Sequence, residues 1–237
     1  YDNYKYEMLF KIHKGRGKGG IQKYYAGWNT YIKLAQGNIR YLMELIYKAY
    51  EKHLNNEESL IKPINLRNQT IAAQEVGEKN LMQLEGLKEN GAQLIRLLLG
   101  FGRIFNVLSS EEGRFAPEKN QFSIENSDSI SEECNNILNP AVMHLALIRI
   151  PGNKLTDEAH TRDYIYTIHP IYSAYFVFSY RRKRKMMITQ QEFLGIINSP
   201  KETIKTVLEK FKIPIDTDGV KRPLPIQLSI FENYYND

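Results

Sequence analysis

The stretch that decides the fold begins with Tyr25-Ala26-Gly27-Trp28-Asn29 and continues through Gly37-Asn38-Ile39-Arg40. Glycine followed by asparagine favours a turn, so two helices separated at Gly37 are expected. Beyond the turn, apolar residues recur at the spacing of one buried helix face, namely Leu42, Leu45, Ile46, Ala49 and Tyr50. The sequence therefore predicts a helical pair over residues 28–54, with Arg40 at the start of its second helix.

Two longer helices are predicted next, one over residues 66–87 and one after Asn90, a residue suited to capping a helix N-terminus. The second contains Gly100 and Gly102. Glycine in a helix lowers stability by about 1 kcal/mol relative to alanine, so close packing against a neighbour is expected at both positions.

Short elements follow in the second half of the chain. We expect helices over residues 131–138, 141–148, 190–198 (capped by Thr189) and 200–211, and strands over 121–124, 164–168 and 186–188. Residues 171–178 fit either a helix or a strand, residues 151–163 fit a polar loop, and the tail from residue 212 is predicted to be extended.

Composition indicates a soluble globular protein, with 237 residues of which 42% are apolar and 25% charged. We expect no membrane partner, because no apolar run approaches the roughly 18–20 residues that a membrane span needs. The start at Tyr1 lacks the pattern of a signal peptide and an initiator Met, which predicts a piece of a longer protein. Cys134 is the only cysteine, so an internal disulfide is excluded and a reducing cytoplasm fits best.

Positive charge is concentrated in Arg181-Arg182-Lys183-Arg184-Lys185, which carries as many charges as the net excess of +5. Such a patch attracts phosphates or acidic surfaces, so we predict that these five residues bind nucleic acid; the alternative is a solvated turn of charges. Several aromatic residues precede the run, namely Tyr172, Tyr175, Phe176, Phe178 and Tyr180. They could stack on bases or belong to the core.

These elements predict a mainly α fold with small β-hairpins. Short strands on either side of the basic run match a winged-helix arrangement, in which one helix enters a groove of the DNA and basic residues on the wing contact phosphates. The wing would then be the basic run itself.

No catalytic or metal-binding residue is predicted. The five histidines are scattered, and His169, before Pro170, is expected to be a structural residue. Cys134 lies beside two glutamates, which would raise its pKa. The glycine-rich residues 14–20 lack the Gly-Lys-Ser/Thr ending of a phosphate-binding loop and are expected to form a connector.

The opening stretch, residues 25–42, resembles the lid of AAA+ ATPases related to origin-recognition and replication-initiator proteins. Further resemblance to bacterial members lies in residues 72–77, 91–94 and 169–183, so most of residues 20–211 are covered. The resemblance implies a lid-like segment at 1–62, followed by winged-helix-like modules at 63–128 and 129–237.

In that family, an arginine in a Gly-Asn-x-Arg turn is the sensor-2 residue, which touches the γ-phosphate of ATP. The resemblance therefore implies that Arg40 contacts ATP while Asn38 shapes the turn, with Mg held by residues outside this chain. On spacing alone, a surface ion pair is the commoner arrangement for an arginine such as Arg40 at the start of a helix. No Walker A or Walker B motif and no arginine finger is recognisable, so this chain could not hydrolyse ATP by itself, although the parent protein would be an ATPase.

The leading hypothesis is the non-catalytic C-terminal part of an AAA+ ATPase that couples ATP binding to binding of DNA or of a protein partner, as a homo-oligomer or with another subunit. Analogy with bacterial members suggests an antiviral defence system. The alternatives are a nucleotide-independent winged-helix DNA-binding regulator and an assembly scaffold whose basic run meets an acidic subunit surface.

Overall fold

A computed structural model describes residues 23–55, 59, 61–110, 118–125, 130–155, 162–211 and 224–236, with only the backbone for 110, 153–155 and 162–163. The predicted connector at 14–20 and residues 212–223 of the tail lie outside the described residues.

Four helices open the described part of the chain: α1 (Trp28–Ala35), α2 (Ile39–Asn55), α3 (Leu66–Glu85) and α4 (Gly91–Ser110). The helix pair predicted around Gly37 is confirmed. The chain turns between α1 and α2 because Gln36 and Gly37 both adopt left-handed backbone conformations, with φ of 49° and 85°. Glycine takes this conformation without the steric cost that a side chain imposes.

Helix α4 runs through the core, and its two glycines make the close contacts that the sequence predicts. A Cβ atom on Gly102 would lie 2.3 Å from Cδ1 of Phe176, and one on Gly100 would lie 2.1 Å from Cγ2 of Ile196. Both distances are far below van der Waals contact, so only glycine admits these neighbours.

The same helix corrects one expectation from the sequence. Residues Gly91–Ser109 are long and apolar enough to cross a membrane, although no such stretch was expected. Because 72% of that stretch is buried inside the protein, α4 has the surroundings of a core helix.

One small sheet contains the four strands β1 (Lys119–Ile124), β2 (Leu147–Leu155), β3 (Arg162–Ile168) and β4 (Arg184–Ile188), in the order β2-β3-β1-β4. Strand β3 pairs antiparallel with both β2 and β1, whereas β4 pairs parallel with β1. The described residues are thus mainly helical with a small sheet, as the mainly α prediction requires.

The basic run is therefore not the turn of a hairpin. Strands β3 and β4 lie on opposite sides of β1, so the sequence interpretation of paired strands flanking a basic turn is wrong. Helix α5 (Glu132–Met143) lies between β1 and β2. The chain crosses from β3 to β4 through a 3-10 turn, Pro170–Tyr172, and the short helix α6 (Ser173–Phe176).

The region around β2 also departs from the prediction. Helix α5 continues through Pro140, and the helix expected at 141–148 is absent, because the chain leaves the helix at Leu145 with φ of 56° and β2 begins at Leu147. The expected polar loop at 151–163 partly belongs to β2 and β3. Residues 147–155 form a strand because they pair with β3. A distant pairing of this kind gives no periodic signal in the local sequence, so the prediction could not detect it.

The C-terminal part contains α7 (Gln190–Asn198), α8 (Pro200–Glu209) and, after a 3-10 segment at Ile226–Phe231, α9 (Glu232–Asn236). Thr189 caps α7 as predicted, in a reciprocal capping box with Glu192. The described part of the tail is helical rather than extended, and the Tyr234 hydroxyl donates a hydrogen bond to the carbonyl of Ile196 at 2.8 Å.

A single hydrophobic core joins the helices to the sheet. Phe122 on β1 stacks on Phe101 of α4, with ring centroids 4.1 Å apart, and on Tyr166 of β3 at 5.4 Å. Strands from both sides of the predicted boundary at 128/129 thus share one sheet. The division into 1–62, 63–128 and 129–237 stays a prediction.

Candidate functional site

Asn38 caps the helix that carries Arg40. Its side-chain oxygen accepts hydrogen bonds from the backbone N–H groups of Arg40 (3.0 Å) and Tyr41 (3.4 Å). Two N–H groups that would otherwise lack a partner at the start of α2 are satisfied in this way. The carboxamide of Asn38 is thereby turned toward its own helix.

Arg40 lies on the surface with a side chain that is 58% exposed. Its Nη2 donates to Oδ1 of Asn80 at 3.5 Å, and its Nε lies 4.0 Å from Oε1 of Glu44. Glu44 also contacts Nζ of Lys79 at 3.2 Å and accepts from Nδ2 of Asn80 at 2.9 Å. The single carboxylate of Glu44 thus contacts two cations, Arg40 and Lys79, so these three side chains together carry an excess of positive charge.

The outer face of α2 is apolar and uncovered. Five large side chains follow one another along it, each at least 46% exposed: Ile39, Met43, Tyr47, Tyr50 and Leu54. The sequence prediction placed Tyr50 in the buried stripe, which is wrong; Leu45 and Ala49 are buried as predicted. The stripe begins beside Arg40.

The basic run, Arg181–Lys185, lies in the segment that leads from α6 into β4. Its backbone is fixed by the buried side chain of Asn120. The Nδ2 atom of Asn120 donates to the carbonyls of Ser179 (2.6 Å) and Arg181 (2.7 Å), and its Oδ1 accepts from the N–H of Lys183 at 2.8 Å. Gln121 adds a hydrogen bond to the carbonyl of Lys183.

Glu118 provides a second anchor next to Asn120. It accepts a hydrogen bond from the N–H of Ser179 at 2.8 Å, and its carboxylate lies 3.9 Å from Nζ of both Lys23 and Lys183. Burial lowers the pKa of Lys23, and the positive charge of Lys183 acts in the same direction while Glu118 opposes it.

Three cations of the run face solvent from this fixed backbone. Arg182, Arg184 and Lys185 are exposed and form no ion pair with any residue that the structure describes. Arg181 is half-buried, with its guanidinium 5.8 Å from the ring centre of Tyr180. Unpaired cations on a rigid segment suit the binding of an anion, because no carboxylate must be displaced.

The aromatic residues before the run are core residues. Tyr172, Tyr175, Phe176 and Phe178 are buried, which leaves only the half-buried Tyr180 near the surface. The core interpretation of this group is therefore confirmed for four of its five members.

Comparison with known proteins identifies the family. The model of the ORC-CDC6-like family matches residues 1–188, well over half of the chain. The chain belongs to the ORC-CDC6-like family. This family is related to AAA+ ATPases, and its members generally bind ATP with Mg and act on DNA as oligomers. No curated protein and no solved structure matches the chain.

Members of the ORC-CDC6-like family generally bind ATP, and Arg40 is the residue that the sequence predicts as a contact of the γ-phosphate. The guanidinium of Arg40 is accessible and could reach a phosphate oxygen. Asn38 could not add a second contact without releasing the start of α2, since its carboxamide already caps the helix. Arg40 and Asn38 do not by themselves form a nucleotide pocket, and the contact of Arg40 with ATP stays a prediction.

Other chemistry finds little support in the described part of this ORC-CDC6-like chain. No cluster of three His, Cys, Asp or Glu side chains suited to a metal occurs there. His169 is structural, as predicted: it is buried, its Nδ1 accepts from the N–H of Ile171 at 3.3 Å, and burial lowers its pKa to about 4. Burial also raises the pKa of Cys134, with a smaller contribution from Glu133 against a hydrogen bond to Ser131.

Sequence reasoning missed the residues that hold the basic run in place. Asn120 and Glu118 lie in and beside a strand about sixty residues before the run, and nothing local marks them as its partners. Sequence reasoning also missed a contact between the residues before α1 and the segment that precedes the basic run. There the Tyr25 hydroxyl donates a hydrogen bond to the carbonyl of Phe178 at 2.6 Å. Arg40 and the basic run themselves have separate sets of partners.

Proposed function

We propose that this chain is the non-catalytic C-terminal part of an ORC-CDC6-like AAA+ ATPase and that it couples ATP binding to DNA binding. The observation that carries the proposal is the basic run, whose exposed cations project from a backbone fixed by Asn120. Ordering such a segment before it binds lowers the entropy lost on association. Phosphates along a nucleic-acid backbone are the anions that such a row of cations would meet.

The connectivity supports a winged-helix module. A helix (α4), a strand (β1), a second helix (α5) and the β2–β3 hairpin follow one another and share one core. In this arrangement the wing is the β2–β3 hairpin, and the basic run lies at the opposite edge of the sheet beside β4. We infer that the run contacts phosphates from that edge.

The surroundings of Arg40 support the ATP-dependent half of the proposal. Helix α2 carries an uncovered apolar stripe that begins beside Arg40, and exposed apolar surfaces of this kind mark interaction sites. We infer that the stripe packs against the ATP-binding part of the parent protein, where Arg40 senses the γ-phosphate. The setting that fits is a cytoplasmic bacterial defence system.

The DNA-binding half is tested by removing the exposed charges. In the triple variant R182Q/R184Q/K185Q, each lost phosphate contact should reduce the slope of log K against log salt concentration by about 0.9 for duplex DNA. The matched control is K62Q/K88Q/K201Q, which removes three exposed charges elsewhere. Titrations over a salt series measure both. Equal loss of affinity in the two variants would mean that the basic run affects DNA binding only through the net charge of the protein.

The coupling half is tested in the intact parent protein. R40A should weaken ATP binding and abolish the effect of ATP on DNA affinity, because the sensing contact is lost. R67A, an exposed arginine on α3, is the control. DNA binding that ATP never alters, in wild type or variant, would instead support a nucleotide-independent regulator. Assembly that survives nuclease treatment, without DNA binding, would support a scaffold.

A further inference from the structure

A small cleft lies between the basic run and the turn that follows α1. Its walls are largely polar and include Gln36, Asn120, Thr167, Ser173, Ser179 and Arg182. None of the residues that line it is acidic. An anion entering the cleft would therefore meet no like charge in its walls.

Ser173 gives the cleft an unsatisfied donor. The residue is only 1% exposed, and its hydroxyl finds no hydrogen-bond partner among the described residues. Leaving a buried polar group without a partner is costly, so proteins generally satisfy such groups with protein atoms, water or a ligand. Ser173 is one of the residues that line the cleft, so a ligand or a water molecule in the cleft is a candidate partner for its hydroxyl.

Most other polar groups in the walls are already engaged. Asn120 holds the basic run, the hydroxyl of Thr167 donates to the carbonyl of Asn120 at 3.0 Å, and that of Ser179 accepts from the N–H of Arg181 at 3.3 Å. Two groups remain available in addition to Gln36. They are the Ser173 hydroxyl and the guanidinium of Arg182, which forms no ion pair with the described residues.

We propose that this cleft is a phosphate subsite. Arg182 supplies the charge, the Ser173 hydroxyl donates from the floor, and the exposed carboxamide of Gln36 contacts the phosphate from the opposite wall. The ligand is a phosphate group, either in a nucleic-acid backbone, which rests on the proposed function, or as the free ion. Gln36 belongs to the turn that precedes Arg40, so the cleft lies between that turn and the basic run.

The free ion tests the site without nucleic acid. Thermal unfolding of the chain is followed in increasing inorganic phosphate, against sodium chloride at equal ionic strength. Wild type and K201Q, which removes an exposed charge outside the basic run, should show the same saturable stabilisation, whereas S173A and R182Q should require about tenfold more phosphate, the effect of losing one hydrogen bond to a charged group. General salting-out by phosphate would act equally on all four proteins.

S173A is an informative variant because the hydroxyl that it removes makes no hydrogen bond with the described residues, so its unfolding temperature without phosphate should not fall. R182Q alters an exposed side chain and should fold as well as K201Q. If phosphate stabilises S173A and R182Q as much as wild type, the cleft holds only a buried water and the proposal is overturned.

Binding of a single-stranded oligonucleotide distinguishes the source of the phosphate. With a backbone phosphate in the cleft, R182Q should lose more affinity than K185Q despite the same change in charge, and S173A should lose affinity with an unchanged salt slope. If the variants respond to inorganic phosphate as expected but wild type binds no oligonucleotide, the subsite stands and the proposed function fails. If oligonucleotide binding needs the basic run yet S173A binds like wild type, the function stands and the subsite fails.

Discussion

The two cationic regions of this chain are built in opposite ways. At Arg40 the backbone is an ordinary helix, and the charged side chain itself is held by Glu44 and Asn80. At the basic run the backbone is irregular up to the start of β4 at Arg184 and is held by Asn120, while the side chains of Arg182 and its exposed neighbours form no ion pair with the described residues.

Under the proposed function, this difference would correspond to two modes of recognition. A side chain restrained by a carboxylate is suited to exchanging that partner for one phosphate at a defined point. A row of unrestrained cations on a fixed backbone is suited to an extended partner whose phosphates vary in position. The comparison also predicts where mutations should cost stability: at the anchor of the basic run and not at Arg40.

The largest expected effect is at Asn120. N120A should lower the free energy of unfolding by about 3 kcal/mol, because it removes three hydrogen bonds and leaves backbone groups of Ser179, Arg181 and Lys183 without their partner. Urea denaturation measures the change. N135A is the control, since the side chain of Asn135 makes one hydrogen bond with the described residues, to the carbonyl of Ile130 at 3.3 Å, and its loss should cost under about 1 kcal/mol. Similar losses in both variants would show that Asn120 does not anchor the run.

His169 should produce the next largest effect, as a dependence of stability on pH. It packs edge-on against Tyr41 of α2, with ring centroids 5.2 Å apart, and begins the turn that leads to the basic run. Burial lowers the pKa of His169 from its ordinary value of 6.5 to about 4 on folding. The unfolded chain therefore binds the proton first, so stability is lost as pH falls from about 6.5 toward 4, by about 3 kcal/mol in all.

Urea denaturation at pH 7 and pH 4 tests this contribution. In H169N an amide oxygen can replace the imidazole nitrogen that accepts from Ile171, and the titrating group is gone. The variant should lose about 3 kcal/mol less than wild type between the two pH values. An equal loss would assign the acid sensitivity to carboxylates elsewhere.

The smallest expected effect is at Arg40. R40A should change the free energy of unfolding by less than about 0.5 kcal/mol, since exposed ion pairs contribute little. Thermal or urea denaturation of R40A and of wild type, side by side, measures this change in the free energy of unfolding. A decrease in the free energy of unfolding above about 1.5 kcal/mol would show that Arg40 has a structural role, and the two cationic regions would then not differ as described.

Local signals in the sequence predicted much of this fold. The Gly37 turn, the cap at Thr189 and the two glycines of α4 each depend on neighbours within a few positions or on the space a residue occupies, so the prediction and the structure agree. The predicted contacts of Asn38, Arg40 and the basic run with ATP and DNA stay predictions.

Non-local pairing accounts for the errors. Leu147 and Ile148 were assigned to a helix because their strand partner, β3, lies beyond a polar stretch. The basic run was assigned to a hairpin because β3 and β4 are neighbours in sequence, whereas β1 separates them in the sheet. The role of Asn120 left no trace in the sequence, since its partners lie about sixty positions away.

The parallel pairing of β1 with β4 has a consequence for the order of folding. Nothing local can bring these strands together, and closing a loop of about sixty residues costs roughly 3–4 kcal/mol of chain entropy before any contact compensates it. The helices α1 to α4 can form from nearby residues, whereas the basic run acquires its shape only after Ile188 has joined the sheet. In a chain that is still being synthesised, the helix that carries Arg40 would therefore form well before the basic run has the shape with which it would bind an extended polyanion.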